Sequence, residues 1–381
     1  MGKIFTALGL MSGTSLDGVD VSIIESDGNM DYSSILDNYY EYDSEISDRI
    51  LRIRDKIATP QDLNFNLKEI NSLEKEITLF NAKAVNETLE KSNNKVDLVG
   101  FHGQTVFHDS NKKFSKQLGD GNLLSQLIKK KVVFDFRKND LEKGGQGAPL
   151  TPIFHNAIAN KINKNFNVKF PINILNIGGI TNITSTVHEN DLWSKSKINA
   201  YDIGPGNCLI DEWIRKNSKK KYDDLGLIAR SGKTDQLILN QAIENFSQNF
   251  DYNKSLDIKD FDIFFAKGLN LENGTATITE FTARLIADGI KFLNKDMGTL
   301  NDNFLVCGGG RKNQFLIDCI KNNFDEINLD PIEKYEINGD FVESQAFAFL
   351  AIRSFTGMPI SFPTTTRCKE PLTGGIIVEN F

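Results

Sequence analysis

One pattern restricts the fold of this chain more than any other, and it occurs twice. Residues 4–10 are apolar, Gly13-Thr14-Ser15-Leu16-Asp17-Gly18 is turn chemistry, and residues 19–24 are β-branched and apolar again. Ile172–Ile177, Gly178-Gly179-Ile180-Thr181-Asn182 and residues 183–187 repeat that plan. A strand–glycine turn–strand unit opening each half predicts two related lobes. After the first unit, Leu67, Ile70, Leu73, Ile77, Phe80, Ala84 and Leu89 recur at helical spacing. Residues 98–101 read as a short strand leading into a tight loop, His102-Gly103-Gln104-Thr105, and 132–136 as another ahead of Gly144-Gly145-Gln146-Gly147. Thr277-x-x-Glu280 reads as a capping box opening a helix marked by Ile278, Phe281, Leu285, Ile286 and Ile290. Residues 304–306 form a strand running into Gly308-Gly309-Gly310, and Phe315, Leu316, Cys319 and Ile320 mark the helix after it. Strands alternating with helices predict an α/β chain. Its 381 residues exceed the usual ~100–200 of one domain. The expected division is a first lobe over 1–130, a second over 131–355, and a segment 356–381 packing back on the first.

The chain is 40% hydrophobic and 25% charged, which excludes disordered, collagen-like and disulfide-scaffold classes. Net charge is −7 with a pI near 5.3, and the densest basic runs are only 129–131 and 219–221, so nucleic acid is not an expected partner. Cys208, Cys307, Cys319 and Cys368 lie far apart, without a CxxC pair, and are expected to be reduced thiols. Residues 1–10 lack a cleavage-site pattern and no apolar run approaches ~18 residues, so the expected location is the cytoplasm, away from the membrane.

Three junctions combine glycine with hydroxyl or amide residues: 13–20, 178–182 and 308–313. Glycine lets backbone amides approach a phosphate closely. Each alone is an ordinary turn; three at strand ends favour a nucleotide. Gly226 to Gly232-Lys233-Thr234 is no P-loop, because five residues separate the glycines where four are required. Gly204-Pro205-Gly206 is no dinucleotide fingerprint, since Leu209 occupies the third glycine position. Asp202, ahead of Gly204-Pro205-Gly206-Asn207, is placed either to reach a ligand or to stabilise its own turn, and Asn207 is a plausible N-cap for the helix that follows. Asp17 and Asp20 share the ambiguity between metal–nucleotide contact and hairpin shaping. Among His102, His108, His155 and His188 there is no zinc spacing. His102 is the best placed for a ligand contact, with a satisfied structural imidazole the equal alternative.

These segments together resemble one family, the anhydro-N-acetylmuramic acid kinases of bacterial cell-wall recycling. The resemblance rests on Gly9-Leu10-Met11-Ser12-Gly13-Thr14-Ser15-Leu16-Asp17-Gly18-Val19-Asp20, His102-Gly103-Gln104-Thr105, Asp135-Phe136-Arg137 and Gly144-Gly145-Gln146-Gly147-Ala148-Pro149-Leu150. Leu175-Asn176-Ile177-Gly178-Gly179, Asp202-x-Gly204-Pro205-Gly206-Asn207, Cys307-Gly308-Gly309-Gly310 and Glu343 with Ala346-Phe347-Ala348 extend it along nearly the whole chain. It implies two ribonuclease-H-like lobes, the fold of actin, sugar kinases and the Hsp70 ATPase, with ATP in an interlobe cleft. By the resemblance, Gly13, Thr14, Ser15, Leu16, Asp17, Gly18, Val19 and Asp20 form the ATP phosphate loop, with Asp17 meeting Mg²⁺ through water. Gly178, Gly179, Asn182 and Gly204 would form the second phosphate hairpin and its surroundings, and Gly308, Gly309 and Gly310 would lie near adenosine. The catalytic aspartate falls on Asp202, and the sugar pocket draws on Gln104, Arg137 and Glu343. Departures are Arg137-Lys138-Asn139-Asp140, less arginine-rich than usual, Gly119-Asp120-Gly121-Asn122 for the usual G-D/N-P-A, and Arg311-Lys312 after the triple glycine.

The implied reaction opens the 1,6-anhydro bridge. Asp202 takes a proton from water attacking C1 while O6 leaves and receives the γ-phosphoryl group of ATP, giving N-acetylmuramic acid 6-phosphate and ADP. The expected partners are the sugar and ATP, with a homodimer as the only protein assembly kept open. A kinase acting on a free hydroxyl, and an actin- or Hsp70-like ATPase acting on a protein, are the alternatives on the same fold.

Overall fold

An apolar run before a short polar turn and a β-branched run after it make the first hairpin. In the computed structural model, which describes residues 2–187, 198–247, 250–298 and 303–381, Phe5–Ser12 (β1) and Gly18–Ser26 (β2) pair antiparallel, Met11 opposite Asp20. Tyr32–Glu41 (β3) continues antiparallel on β2. Leu98–Asp109 (β4) runs parallel to β1 on its other side, Phe114–Leu118 (β5) folds back antiparallel on β4, and Lys131–Phe134 (β6) runs parallel to β4. The second sheet repeats the plan. Ile172–Ile177 (β7) and Ile180–Thr186 (β8) form an antiparallel hairpin with Ile198–Pro205 (β9) beside β8. Asn303–Cys307 (β10) runs parallel to β7, and Asn328–Pro331 (β11) parallel to β10. Ile376–Val378 (β12) returns to the first sheet, antiparallel to β6. Each sheet thus carries its opening three strands in the order third, second, first, and then two parallel strands.

The chain divides into two units. The first is built mainly of Met1–Val168 and Phe341–Phe381, the second of Lys169–Glu189 and Ala200–Asp340. The boundary expected at 130/131 therefore falls at 168/169, and the Val342–Phe355 helix, expected in the second lobe, belongs to the first. Backbone contact is the reason. A Cβ on Gly9 of β1 would lie 2.0 Å from the Ser344 carbonyl oxygen, and one on Gly100 of β4 would lie 2.2 Å from that of Phe347. Two strand glycines let the helix lie directly on the sheet, and Ala346, Phe347, Ala348 and Phe349 are buried there.

In the first lobe, the Leu67–Lys91 helix buries Ile70, Leu73, Ile77 and Val85 in one core with β-strand residues Leu8, Leu10, Val19 and Val21. In the second, Leu175, Ile177, Ile183 and Ile203 pack with Ala283, Ile286, Ile290 and Leu316. Two local expectations change. The Thr277 capping box lies inside a helix that spans Leu271–Met297 and is capped by Asn270, whose side chain accepts from Asn273 N. The Thr277 hydroxyl instead bonds back to Asn273 O (2.8 Å) and accepts from Asp235 N (3.0 Å), a side-chain–backbone bond that mimics a cap in sequence. His102-Gly103-Gln104-Thr105 is not a loop but the middle of β4, a twelve-residue strand held by β1 on one side and β5 on part of the other.

The four cysteines are free, three of them buried, as their spacing implied. Among the described residues, no helix is long and apolar enough to cross a membrane.

Candidate active site

The first hairpin turn is held from the protein side. Gln104 Nε2 donates to the Gly13 carbonyl (3.0 Å) and Arg54 Nη1 to that of Thr14 (3.2 Å). Tyr42 N donates to Asp17 O (2.8 Å), and Ser15 Oγ donates to Asp17 Oδ1. The turn's left-handed residue is Leu16, at φ 60°, with its side chain in the core. Leu16 and Val19, both expected at the nucleotide, point their side chains inward with the lobe core, so only their backbone can meet a ligand. Gly18 is packed against the Tyr40 carbonyl and the Tyr39 ring, whereas Thr14 and Ser15 are exposed.

Gln104 links this turn to the residues expected at the sugar. Two positions before it on β4, His102 accepts at Nε2 from Arg137 Nη2 (2.8 Å), and Arg137 Nη1 donates to Gly147 O (2.7 Å). Gly147 N donates to the buried Asp140 carboxylate (2.7 Å), whose other oxygen accepts from Thr366 Oγ1 (2.6 Å). The Gly-Gly-Gln-Gly loop is thereby the support of Arg137. Glu343 lies in the first turn of the Val342–Phe355 helix, where the neighbouring Ser344 hydroxyl meets Ser22 Oγ (2.7 Å) and Gln345 Nε2 donates to Asp37. One turn on, Phe347 packs its ring against His102, centroids 4.4 Å apart. Of the departures, Asp120 caps the Gly121–Ile128 helix, accepting from Asn122 N and Leu123 N.

In the second lobe three glycine turns gather at the ends of β7, β9 and β10. Gly206 N donates to Gly179 O and Asn207 N to Gly178 O, both at 2.8 Å. Cβ atoms on Gly206, Gly308 and Gly310 would lie 2.1 Å from Gly178 O, 2.5 Å from Asn176 Oδ1 and 2.2 Å from Ile177 Cγ2. Gly204 packs on Leu285 within β9, and Asn182 stands opposite Asn176 on β8. Asn207 does occupy the N-cap position of the Cys208–Asn217 helix, but its carbonyl, not its side chain, takes the bond from Asp211 N. Asp202, on β9 and 6% exposed, accepts at Oδ2 from Leu256 N (2.9 Å) and Ser255 Oγ (3.2 Å). Those two bonds fix the orientation of its carboxylate, and no sequence signal near Ser255 pointed to them. Arg311 turns inward, donating from Nη1 to Gly308 O (2.9 Å) and Asp340 (2.7 Å) and from Nε to Glu333 (2.8 Å). This departure is thus a brace of the triple-glycine turn. His188 lies outside the described residues.

The space beside each glycine separates two roles. Most are there because backbone or side chains press on them or because φ is left-handed. Gly13, Gly178 and Gly309 are different. Their φ is unexceptional, and an added Cβ would meet nothing nearer than 3.6, 3.4 and 3.6 Å. The fold does not require glycine at these three positions, one in each glycine-rich junction.

Two sheets of the same order, each with glycine turns at strand ends, define two ribonuclease-H-like lobes, the architecture of actin, sugar kinases and the Hsp70 ATPase. A model of one family of such proteins, described as anhydro-N-acetylmuramic acid kinase, matches residues 5–380. The chain is 50% identical to the anhydro-N-acetylmuramic acid kinase of Pelagibacter ubique (strain HTCC1062), over the whole of both chains. It is 37% identical to that of Zymomonas mobilis subsp. mobilis, covering 97% of this chain and 99% of the relative, and 36% identical to that of Methylobacterium nodulans, covering 97% and 98%. The chain belongs to the anhydro-N-acetylmuramic acid kinase family.

Proposed function

We propose that this chain is an ATP-dependent kinase that opens 1,6-anhydro-N-acetylmuramic acid with water and phosphorylates O6, yielding N-acetylmuramic acid 6-phosphate and ADP. The observation that carries the reading is the set Gly13, Gly178 and Gly309: glycines where an added Cβ would make only ordinary van der Waals contact, one in each turn expected at the nucleotide. A position that folding leaves free to carry a side chain, yet is glycine, suits backbone that a phosphate or nucleoside must approach. Family membership supports the same activity.

In this reading Gly13, Thr14, Ser15, Asp17 and Gly18 offer backbone and hydroxyl donors to the triphosphate, and Gly178, Gly179, Asn182 and Gly204 offer a second set. Gly308, Gly309 and Gly310 line the nucleoside side. Asp17, one carboxylate on a turn, would hold Mg²⁺ through water, and the ion would neutralise phosphate charge while keeping most of its waters. Arg137, Gln104 and Glu343 bind the sugar. Asp202 accepts a proton from the water that adds to C1; the C1–O6 bond breaks, O6 takes the γ-phosphoryl group, and ADP leaves. We place this reaction in the cytoplasm, where ATP is supplied.

The test is turnover in ¹⁸O-labelled water, sampled before the reducing sugar exchanges its anomeric oxygen. Label should appear at the C1 hydroxyl of the product and be absent from its phosphate. Labelled inorganic phosphate with the bridge intact would mean an ATPase. Turnover of the free-O6 sugar, with the anhydro form inert, would mean an ordinary sugar kinase.

A further inference from the structure

We propose that His102 is a positioning residue: its neutral imidazole fixes the Arg137 guanidinium for the sugar. The inference rests on the reading of Arg137 as a sugar-binding residue. Its geometry starts in β4, where Leu10 lies opposite Phe101 but Ser12 opposite Gln104, so one extra residue is accommodated. Gly103 takes that place at φ 75°, and a Cβ there would lie 2.5 Å from Leu118 O, so only glycine fits. The bulge lets His102 Nδ1 reach the carbonyl of the next residue, Gly103 O, at 2.8 Å. A carbonyl only accepts, so Nδ1 carries the proton and Nε2 presents its lone pair to Arg137 Nη2. Burial and the Arg137 charge hold this imidazole far below the usual histidine range, so it stays neutral and keeps that acceptor. Phe347 packs against one ring and Gly147 O holds the second guanidinium nitrogen. An imidazole acceptor orients an arginine without cancelling its charge, as a carboxylate would. The full positive charge is then available to the acid group of a muramic acid.

Four variants of the full chain test this. His102→Phe keeps a ring against Phe347 and removes the acceptor; His102→Gln keeps an acceptor; Arg137→Ala removes the arginine. His102→Phe should raise the sugar KM by roughly 10–100-fold, the range of one hydrogen bond to a charged group, with ATP KM within twofold. His102→Gln should recover most of that loss, and the double variant His102→Phe/Arg137→Ala should bind sugar no worse than Arg137→Ala alone. An unchanged sugar KM in His102→Phe beside a raised one in Arg137→Ala, or losses that multiply in the double variant, would overturn the inference alone. An unchanged sugar KM in Arg137→Ala would overturn the reading of Arg137, and this inference with it. Should His102→Phe not fold, ¹⁵N resonances of His102 decide: Nε2 should move toward a free pyridine-type nitrogen in Arg137→Ala, and an unmoved Nε2 would overturn the contact.

Discussion

Gly9 and Gly13 stand four residues apart, and a methyl group would have opposite consequences at the two. At Gly9 it would meet Ser344 O at 2.0 Å, so Gly9→Ala should push the Val342–Phe355 helix off the sheet and lose roughly 1–3 kcal/mol of unfolding free energy, as overpacking does. At Gly13 it would meet only Ser15 Oγ at 3.6 Å, so Gly13→Ala should stay within about 0.5 kcal/mol of the parent. Gly13→Val should weaken ATP much more than sugar. Denaturant unfolding and steady-state kinetics on the three variants check this, and an equal loss for both substrates in Gly13→Val would make that glycine structural. Asp202→Asn offers a second residue-scale outcome. The amide oxygen can still accept from Leu256 N, so ATP binding should persist while turnover falls by ~10²–10⁴, the usual worth of a general base. Near-normal turnover would remove Asp202 from the chemistry. Both residues stood out in the sequence, but the two meanings of glycine did not. What presses on Gly9 is a helix more than three hundred residues away, and what anchors Asp202 is 53 and 54 residues further on.

Among elements, the turn after β10 shows most directly how charge holds a loop. Arg311 joins Gly308 O to Glu333 and Asp340, and Lys312 Nζ reaches Asp340 at 2.7 Å. Burial alone would raise both carboxyls, but the bonds and charge of Arg311, with Lys312 at Asp340, hold them below their usual values. A depressed carboxylate stabilises the fold above its unfolded pKa, and that contribution is lost as pH falls through the folded one. Arg311→Ala should therefore flatten the loss of stability below about pH 4.5, the ordinary glutamate range. It should also raise ATP KM by loosening Gly308–Gly310. Urea melts between pH 7 and 3, with ATP kinetics at neutral pH, check both. A parent-like acid limb would mean the pairs are too solvated to matter. This brace was visible in sequence only as a departure from the family pattern, because Glu333 and Asp340 lie 22 and 29 residues downstream. The strands and long helices were legible because period two and period 3.6 are local. The length of β4 was not, since glycine and histidine suggest a loop until β1 and β5 supply its hydrogen bonds.

Across the whole molecule, the described histidines are all in the first lobe. Burial holds His108 and His155 down to about 3, and His102 well below its usual value. A histidine kept neutral when folded takes up a proton on unfolding, so stability is full above pH ~6.5 and falls as pH drops from there toward the folded value. Each such histidine steepens that fall by roughly 1.4 kcal/mol per pH unit. Between about pH 6.5 and 4.5 the carboxylate pairs of the second lobe are still intact. Hydrogen exchange at pH 5 and 7, corrected for intrinsic rates, should therefore show protection lost first in residues 2–168 and 341–381. Equal loss in both units would count against the buried neutral histidines as its origin. The sequence by itself determined the doubled strand–turn–strand plan, the reduced cysteines and the family. The plan and the family rest on contiguous residues whose backbone preference, alternation or motif is complete within a few positions, and the thiols on the wide spacing of four cysteines. Only the tertiary structure decided where the lobes divide, which glycines serve the fold and which leave space, and how Arg137 is held. Thr366 and Asp140, which help to hold it, are 226 residues apart, and Ser344 meets Ser22 across 322. Contacts closed over such distances carry no local signal, because each partner alone reads as an ordinary polar side chain.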